Sequence, residues 1–112
     1  FTVLSEHENL KAALAELKRK FPLKAYPIIN GKADKSGALI TREDPSQPQT
    51  IVAETVMANE SLTEEALQSL TIGFKTWASR RFEDRVQVLK IAADIMRQRK
   101  AELTAVIIKE AG

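Results

Sequence analysis

The sequence predicts an α+β chain: an N-terminal helix, a short β-hairpin with a third strand, and then two to three helices. Three observations carry that prediction. Residues 1–22 and 61–112 place apolar side chains at helical spacing, and residues 25–58 break that spacing with proline, Asn-Gly and β-branched residues. The three strands are short and one carries a proline, which makes a poor independent sheet and suggests pieces of a larger one.

In the first region, Leu10, Ala13, Leu14, Leu17 and Phe21 recur at helical intervals and form one apolar stripe. Ser5 and Glu8 stand three apart, as a capping box requires, with each side chain satisfying an unpaired backbone N–H. Lys18, Arg19 and Lys20 suit the carbonyl end of the helix dipole, and Pro22 stops the helix.

The middle region opens on Tyr26-Pro27-Ile28-Ile29-Asn30-Gly31, a short apolar strand entering a hairpin turn. A polar stretch from Lys32 to Gly37 leads to a second strand at Ala38–Arg42. Asp44 to Pro48 reads as a proline-fixed loop, and Thr50 to Ala58 as the third strand. After it, Ser61 and Glu64 suggest another capping box for a helix over 61–79, apolar at Leu62, Ala66, Leu70, Phe74 and Trp77. Gly73 inside that helix costs about 1 kcal/mol relative to alanine, which is tolerable where another backbone packs close. Phe82 to Arg99 is a further helix, apolar at Val86, Leu89, Ala93 and Met96. The pattern restarts at Leu103, so a break is expected near Arg99–Glu102, with a last helical piece ending at Gly112. No internal repeat or low-complexity tract is present.

The 112 residues are about one small segment or domain, with 44% apolar and 29% charged residues and a net charge of +2. There is no cysteine, which excludes disulfides, thiolate metal sites and thiol catalysis by these residues. No apolar run is long enough to span a bilayer and no signal peptide is visible, so no membrane span and a cytoplasmic location are expected. The chain begins with Phe1 rather than Met and closes on an apolar turn before Gly112, which reads as a cut at a helix cap.

Candidate chemistry is sparse. His7 is the single histidine, with no cysteine or second histidine to join it as a ligand, and reads as a surface residue. The four glycines stand apart, so no phosphate-cradling loop exists. Asp34, Glu43 and Asp44 are loop carboxylates. Arg80, Arg81, Arg85, Arg97, Arg99 and Lys100 form the densest basic region. That region is either a solvated, ion-paired helix face or a nucleic-acid surface, and with aromatics at 5% the aromatic-interleaved pattern of a reader is missing. A stand-alone interaction module, with the second and third helices offering a groove, is another open reading.

The order of several short motifs adds to this. Tyr26 to Lys32 (Tyr-Pro-Ile-Ile-Asn-Gly-Lys) is followed by a strand, then by a helix ending Gly73-Phe74-Lys75-Thr76-Trp77. Arg85, Leu89, Ala92-Ala93, Arg99, Glu102-Leu103 and Glu110-Ala111-Gly112 come next. Over nearly its whole length the chain resembles the N-terminal part of the aldehyde dehydrogenase superfamily, within the α/β fold of those enzymes. With Phe1-Thr2 and the first helix it looks most like the 1-pyrroline-5-carboxylate dehydrogenase branch, which also occurs as the C-terminal half of bifunctional proline-utilisation enzymes.

The resemblance implies residues 1–112 as a single N-terminal segment of the NAD-binding domain: helix over 1–22, strands over 25–58, helices over 61–112. It implies NAD-dependent oxidation of glutamate semialdehyde by a parent enzyme. The family's cysteine nucleophile and water-activating glutamate fall beyond the residue matching Gly112, so this piece is expected to be inactive alone and to bind no NAD. The remainder of the parent is the implied partner, with self-association or hairpin exchange between copies expected of the isolated piece and no nucleic acid. The resemblance also implies a structural monovalent cation held by the carboxylate of Glu110 and the backbone carbonyls of Arg42 and Glu43. Here Arg42-Glu43-Asp44-Pro45 departs from the family's Asn-Pro pattern, which leaves two further readings open: Arg42 filling the charge role, or Glu110 as a plain surface carboxylate.

Overall fold

The computed structural model describes residues 3–112; Phe1 and Thr2, part of the motif order above, lie outside the described residues. Helix α1 spans Leu4–Arg19, and strands β1 and β2 are Leu23–Lys24 and Ile28–Ile29. Strands β3, β4 and β5 are Lys32–Ala33, Leu39–Asp44 and Gln47–Val56. Helices α2, α3 and α4 are Glu60–Ala78, Phe82–Gln98 and Lys100–Ala111. The main sheet has the order β1-β5-β4, with β1 parallel and β4 antiparallel to β5; β2 and β3 form a separate antiparallel pair.

Helix α1 begins two residues earlier than the Ser5 capping box would place it. Val3 is the N-cap, in extended conformation and without a side-chain cap bond, so Ser5 already lies inside the first turn and cannot reach back. Glu8 faces Lys11 instead, at 3.5 Å. Of the predicted stripe Leu17 is buried, and the helix packs against α4.

The Asn-Gly signal holds. Asn30 and Gly31 take φ of 51° and 74°, the left-handed pair of a two-residue hairpin turn, and Ile29 pairs with Lys32 across it. The amide of Asp34 continues the ladder to the carbonyl of Pro27 at 2.8 Å. The polar stretch after the turn thus starts as strand β3.

Strand β1 is unannounced in the sequence: two residues show no periodicity, and their partners Ala53 and Glu54 are thirty positions away. Strands β4 and β5 are both longer than expected. Asp44 pairs with Gln47, so the predicted loop shrinks to the Pro45-Ser46 turn. The Asp44 carboxylate closes that turn by accepting from the Ser46 amide at 2.9 Å and from its hydroxyl at 2.6 Å. Residues 48–50 have no ladder partner, which is why Pro48 is accommodated inside β5. At the other end the Met57 amide bonds the Ala38 carbonyl at 2.8 Å, and a Cβ on Gly37 would collide with the Met57 carbonyl.

Helix α2 is capped by Asn59, whose side-chain oxygen accepts from the Leu62 amide at 2.8 Å; Ser61 lies inside the helix, so the capping box at 61–64 is not the start. The break between α3 and α4 falls at Arg99 (φ −96°, ψ 16°), within the expected interval. Gly112 caps α4 with φ 98°, its amide bonding the Ile108 carbonyl at 3.1 Å.

The core of the described residues is thin: Leu17, Val52, Val56, Leu62 and Ala105. The molecule is a slab of 46 × 38 × 18 Å with a radius of gyration of 17.9 Å. A compact chain of this length would have about 13 Å. Helix α2 in particular leaves Leu67, Leu70, Ile72 and Phe74 exposed, and nothing lies within 4 Å of where a Cβ on Gly73 would sit. The close backbone that Gly73 suggested is not supplied by the described residues.

Candidate functional site

Two places concentrate the charged and apolar features: the junction of β4 with α4, and the outer face of α2.

At the junction, Arg42 and Asp44 of β4 meet Lys109 and Glu110 of α4. The register of β4 against β5 shifts on both sides of Glu43, with the extra residues, Val52 and then 48–50, on the β5 side. The restart of the helix after Arg99 lays α4 against this end of the hairpin, with the capping Gly112 beside Pro45. The Lys109 ammonium donates to Asp44 Oδ2 at 2.9 Å, and the Arg42 Nε donates to Glu110 Oε1 at 2.9 Å. The two pairs differ in surroundings. Asp44 is 1% exposed, whereas Arg42 is exposed and Glu110 half-buried. Hydrogen bonds from the Ser46 hydroxyl and from Lys109 hold the Asp44 carboxyl at about 2, well below its ordinary 3.8.

The sequence-derived cation set is thereby located. Arg42 and Glu110 come together, through a guanidinium–carboxylate pair, and Glu43 lies between Arg42 and Asp44 where the register shifts. Among the described residues no three His, Cys, Asp or Glu side chains gather into a metal-binding group. Of the three implied ligands, two are the backbone carbonyls of Arg42 and Glu43 and one is the Glu110 carboxylate, and that carboxylate already accepts from a cation of the chain's own, which disfavours an added ion there. The Asp44–Lys109 pair was missed by sequence reasoning. Asp-Pro-Ser signals the turn, but the helical lysine is 65 residues away and nothing local marks it.

The other candidates separate. His7 is exposed in the first turn of α1. Asp34 repeats in miniature the Asp44 turn, accepting from the Ser36 amide and hydroxyl, which lower its carboxyl. The basic stretch is largely matched by acids within its own helices: Arg81 with Asp84, Arg97 with Asp94, Arg99 with Glu102 through two bonds. Lys100 reaches Glu6 of α1 at 2.7 Å, and Arg80 lies over the Trp77 ring at 6.0 Å. Charges neutralised in this way do not make a phosphate-tracking stripe, and the nucleic-acid reading is not favoured.

On α2 the residues Leu67, Leu70, Gly73, Phe74 and Trp77 line a shallow apolar groove. A hydrogen bond from the Ser69 hydroxyl to the Asn30 side chain ties α2 to the β2–β3 hairpin. No helix among the described residues is long and apolar enough to cross a membrane.

The fold and the matched sequence define the class: residues 32–112 match the aldehyde dehydrogenase family, and the chain belongs to it. It is similar, at 35% identity, to the 1-pyrroline-5-carboxylate dehydrogenase of Geobacillus thermodenitrificans, over 100% of this chain and 22% of that protein. A crystal structure of proline utilization A from Bdellovibrio bacteriovorus superposes with a TM-score of 0.91 at 32% identity, covering 97% of this chain and 12% of that one. The 1-pyrroline-5-carboxylate dehydrogenase from Thermus, crystallised with bound NAD, gives 0.92 at 29% identity over 97% of this chain and 21% of its own. The chain thus spans about a fifth of the length of the curated relatives it matches, and it corresponds to the N-terminal part of their fold.

Proposed function

We propose that residues 1–112 form the N-terminal scaffold of an aldehyde dehydrogenase that oxidises glutamate semialdehyde, the open form of 1-pyrroline-5-carboxylate, to glutamate with NAD in proline catabolism. The observation that carries the reading is the joint match in sequence and fold along essentially the whole chain to proteins of that activity. When bound, NAD supplies the hydride acceptor. The residues present here do not form its cradle: there is no glycine-rich loop, and the apolar groove on α2 offers no set of phosphate donors.

What these residues contribute instead is shape. The β4–β5 hairpin, locked to α4, gives a rigid edge. The apolar side of α2 is a surface for the rest of the enzyme, and without that cover it makes the isolated piece self-associate. The piece has no cysteine and so no family nucleophile, and it is inactive by itself.

The test compares the full-length protein carrying this segment with residues 1–112 expressed separately. NADH formation from glutamate semialdehyde by the former and none by the latter is the expected result. A full-length protein inert toward that aldehyde would overturn the substrate, and turnover by the short piece would overturn the scaffold role.

A further inference from the structure

At the β4–α4 junction two ion pairs of the chain's own side chains run in a reciprocal arrangement. Strand β4 sends a cation, Arg42, to α4 and an anion, Asp44, two residues later. Helix α4 answers with the anion Glu110 and the cation Lys109 on consecutive positions. Asp44 and Glu110 therefore each have a tethered positive partner at 2.9 Å. The oxygens of Asp44 are also taken up: Oδ1 accepts twice from Ser46, and Oδ2 accepts from Lys109.

The family resemblance implies a monovalent cation at Glu110. Such an ion supplies one positive charge and asks for oxygen ligands. The Arg42 guanidinium brings the same charge on a planar set of N–H donors that suits a carboxylate, and it arrives covalently attached, with no dissociation. An alkali ion on the same carboxylate would sit against that guanidinium, and the two like charges would repel.

We propose that Arg42 replaces the structural monovalent cation at Glu110, so that the β4–α4 junction of this protein is held without Na+ or K+. The inference rests on membership of the family and on the observed pair, not on the aldehyde substrate proposed above.

The experiment is thermal unfolding of the full-length protein carrying this segment in sodium, potassium or choline chloride at equal ionic strength. The expected result is one melting temperature in all three salts. The Arg42→Gln variant, with Glu110 left without its partner, should melt higher in sodium or potassium than in choline. Arg42→Lys, which keeps the charge, should stay indifferent to the salt and serves if the glutamine variant does not fold. A wild-type melt raised by sodium or potassium over choline by more than about 2 °C, an appreciable shift for a protein of enzyme size, would overturn the proposal. So would excess broadening of the sodium NMR line by the wild-type protein. Dehydrogenase activity is assayed separately, so a salt-indifferent melt with no turnover would count against the substrate and leave the replaced cation standing.

Discussion

Lys109, near the end of the last helix, places its ammonium 2.9 Å from the carboxylate of Asp44, the last residue of β4. Both side chains are largely shielded from water, at 15% and 1% exposure. The same carboxylate closes the Pro45-Ser46 turn, so one buried acid ties a hairpin tip to a helix sixty-five residues on.

That acid sets a pH response. The folded carboxyl lies near 2 and the ordinary value is 3.8, so the folded state favours the ionised form. A depressed folded value means the contribution is complete above about pH 4 and is lost as pH falls toward 2. Difference unfolding curves between wild type and Asp44→Asn should therefore converge across that window and run parallel above it. Curves separated equally at pH 2 and pH 6 would show that Asp44 is not the titrating group.

Helix caps offer a sharper comparison. Asn59→Ala should cost about 1 kcal/mol, because the Leu62 amide loses its acceptor, whereas Ser61→Ala should be close to neutral. Urea unfolding of the two variants measures both. The reverse order would restore the capping box at Ser61.

Two glycines should respond oppositely to alanine. Gly37→Ala forces a Cβ into the Met57 carbonyl and should destabilise the β4–β5 hairpin strongly. Gly73→Ala meets open space among the described residues and should stabilise the isolated piece by up to about 1 kcal/mol. In the full-length protein the scaffold role proposed above predicts that the same change is unfavourable, since a chain covering α2 would approach it there. Equal gains in both contexts would argue against such a cover.

The outer side of α2 predicts how the isolated piece behaves in solution. Sedimentation at micromolar concentration should show association, and Leu70→Glu with Phe74→Glu should reduce it, since both residues lie exposed in the groove. A wild-type piece that stays monomeric would remove the argument.

Local signals account for what the sequence made legible. Asn30-Gly31 needs only the freedom of two residues to adopt positive φ, and the restart at Leu103 needs only a lost helical register. Both can be read from neighbouring residues. The cap positions were off because Val3 and Asn59 precede the serines that fit the pattern, and the backbone chose the earlier start. Strand β1 and the Asp44–Lys109 pair depend on partners thirty and sixty-five positions away, so no window along the chain contains them. At the candidate site, the Arg42–Glu110 ion pair joins residues sixty-eight positions apart and is likewise a matter of side-chain geometry.

A slab 18 Å thick is about one layer of helix on sheet, so water is never far from any amide. Slow hydrogen exchange in the isolated piece should then be confined to the β5 ladder around Val52 and to the turn of α4 holding Ala105, the two places of zero exposure. Helix α2, nineteen residues long and anchored chiefly by its Asn59 cap, should exchange almost as a peptide helix would, near its own melting point at ordinary temperature. Protection of α2 would be acquired when the rest of the enzyme assembles over it, which makes its amides a timer for that assembly.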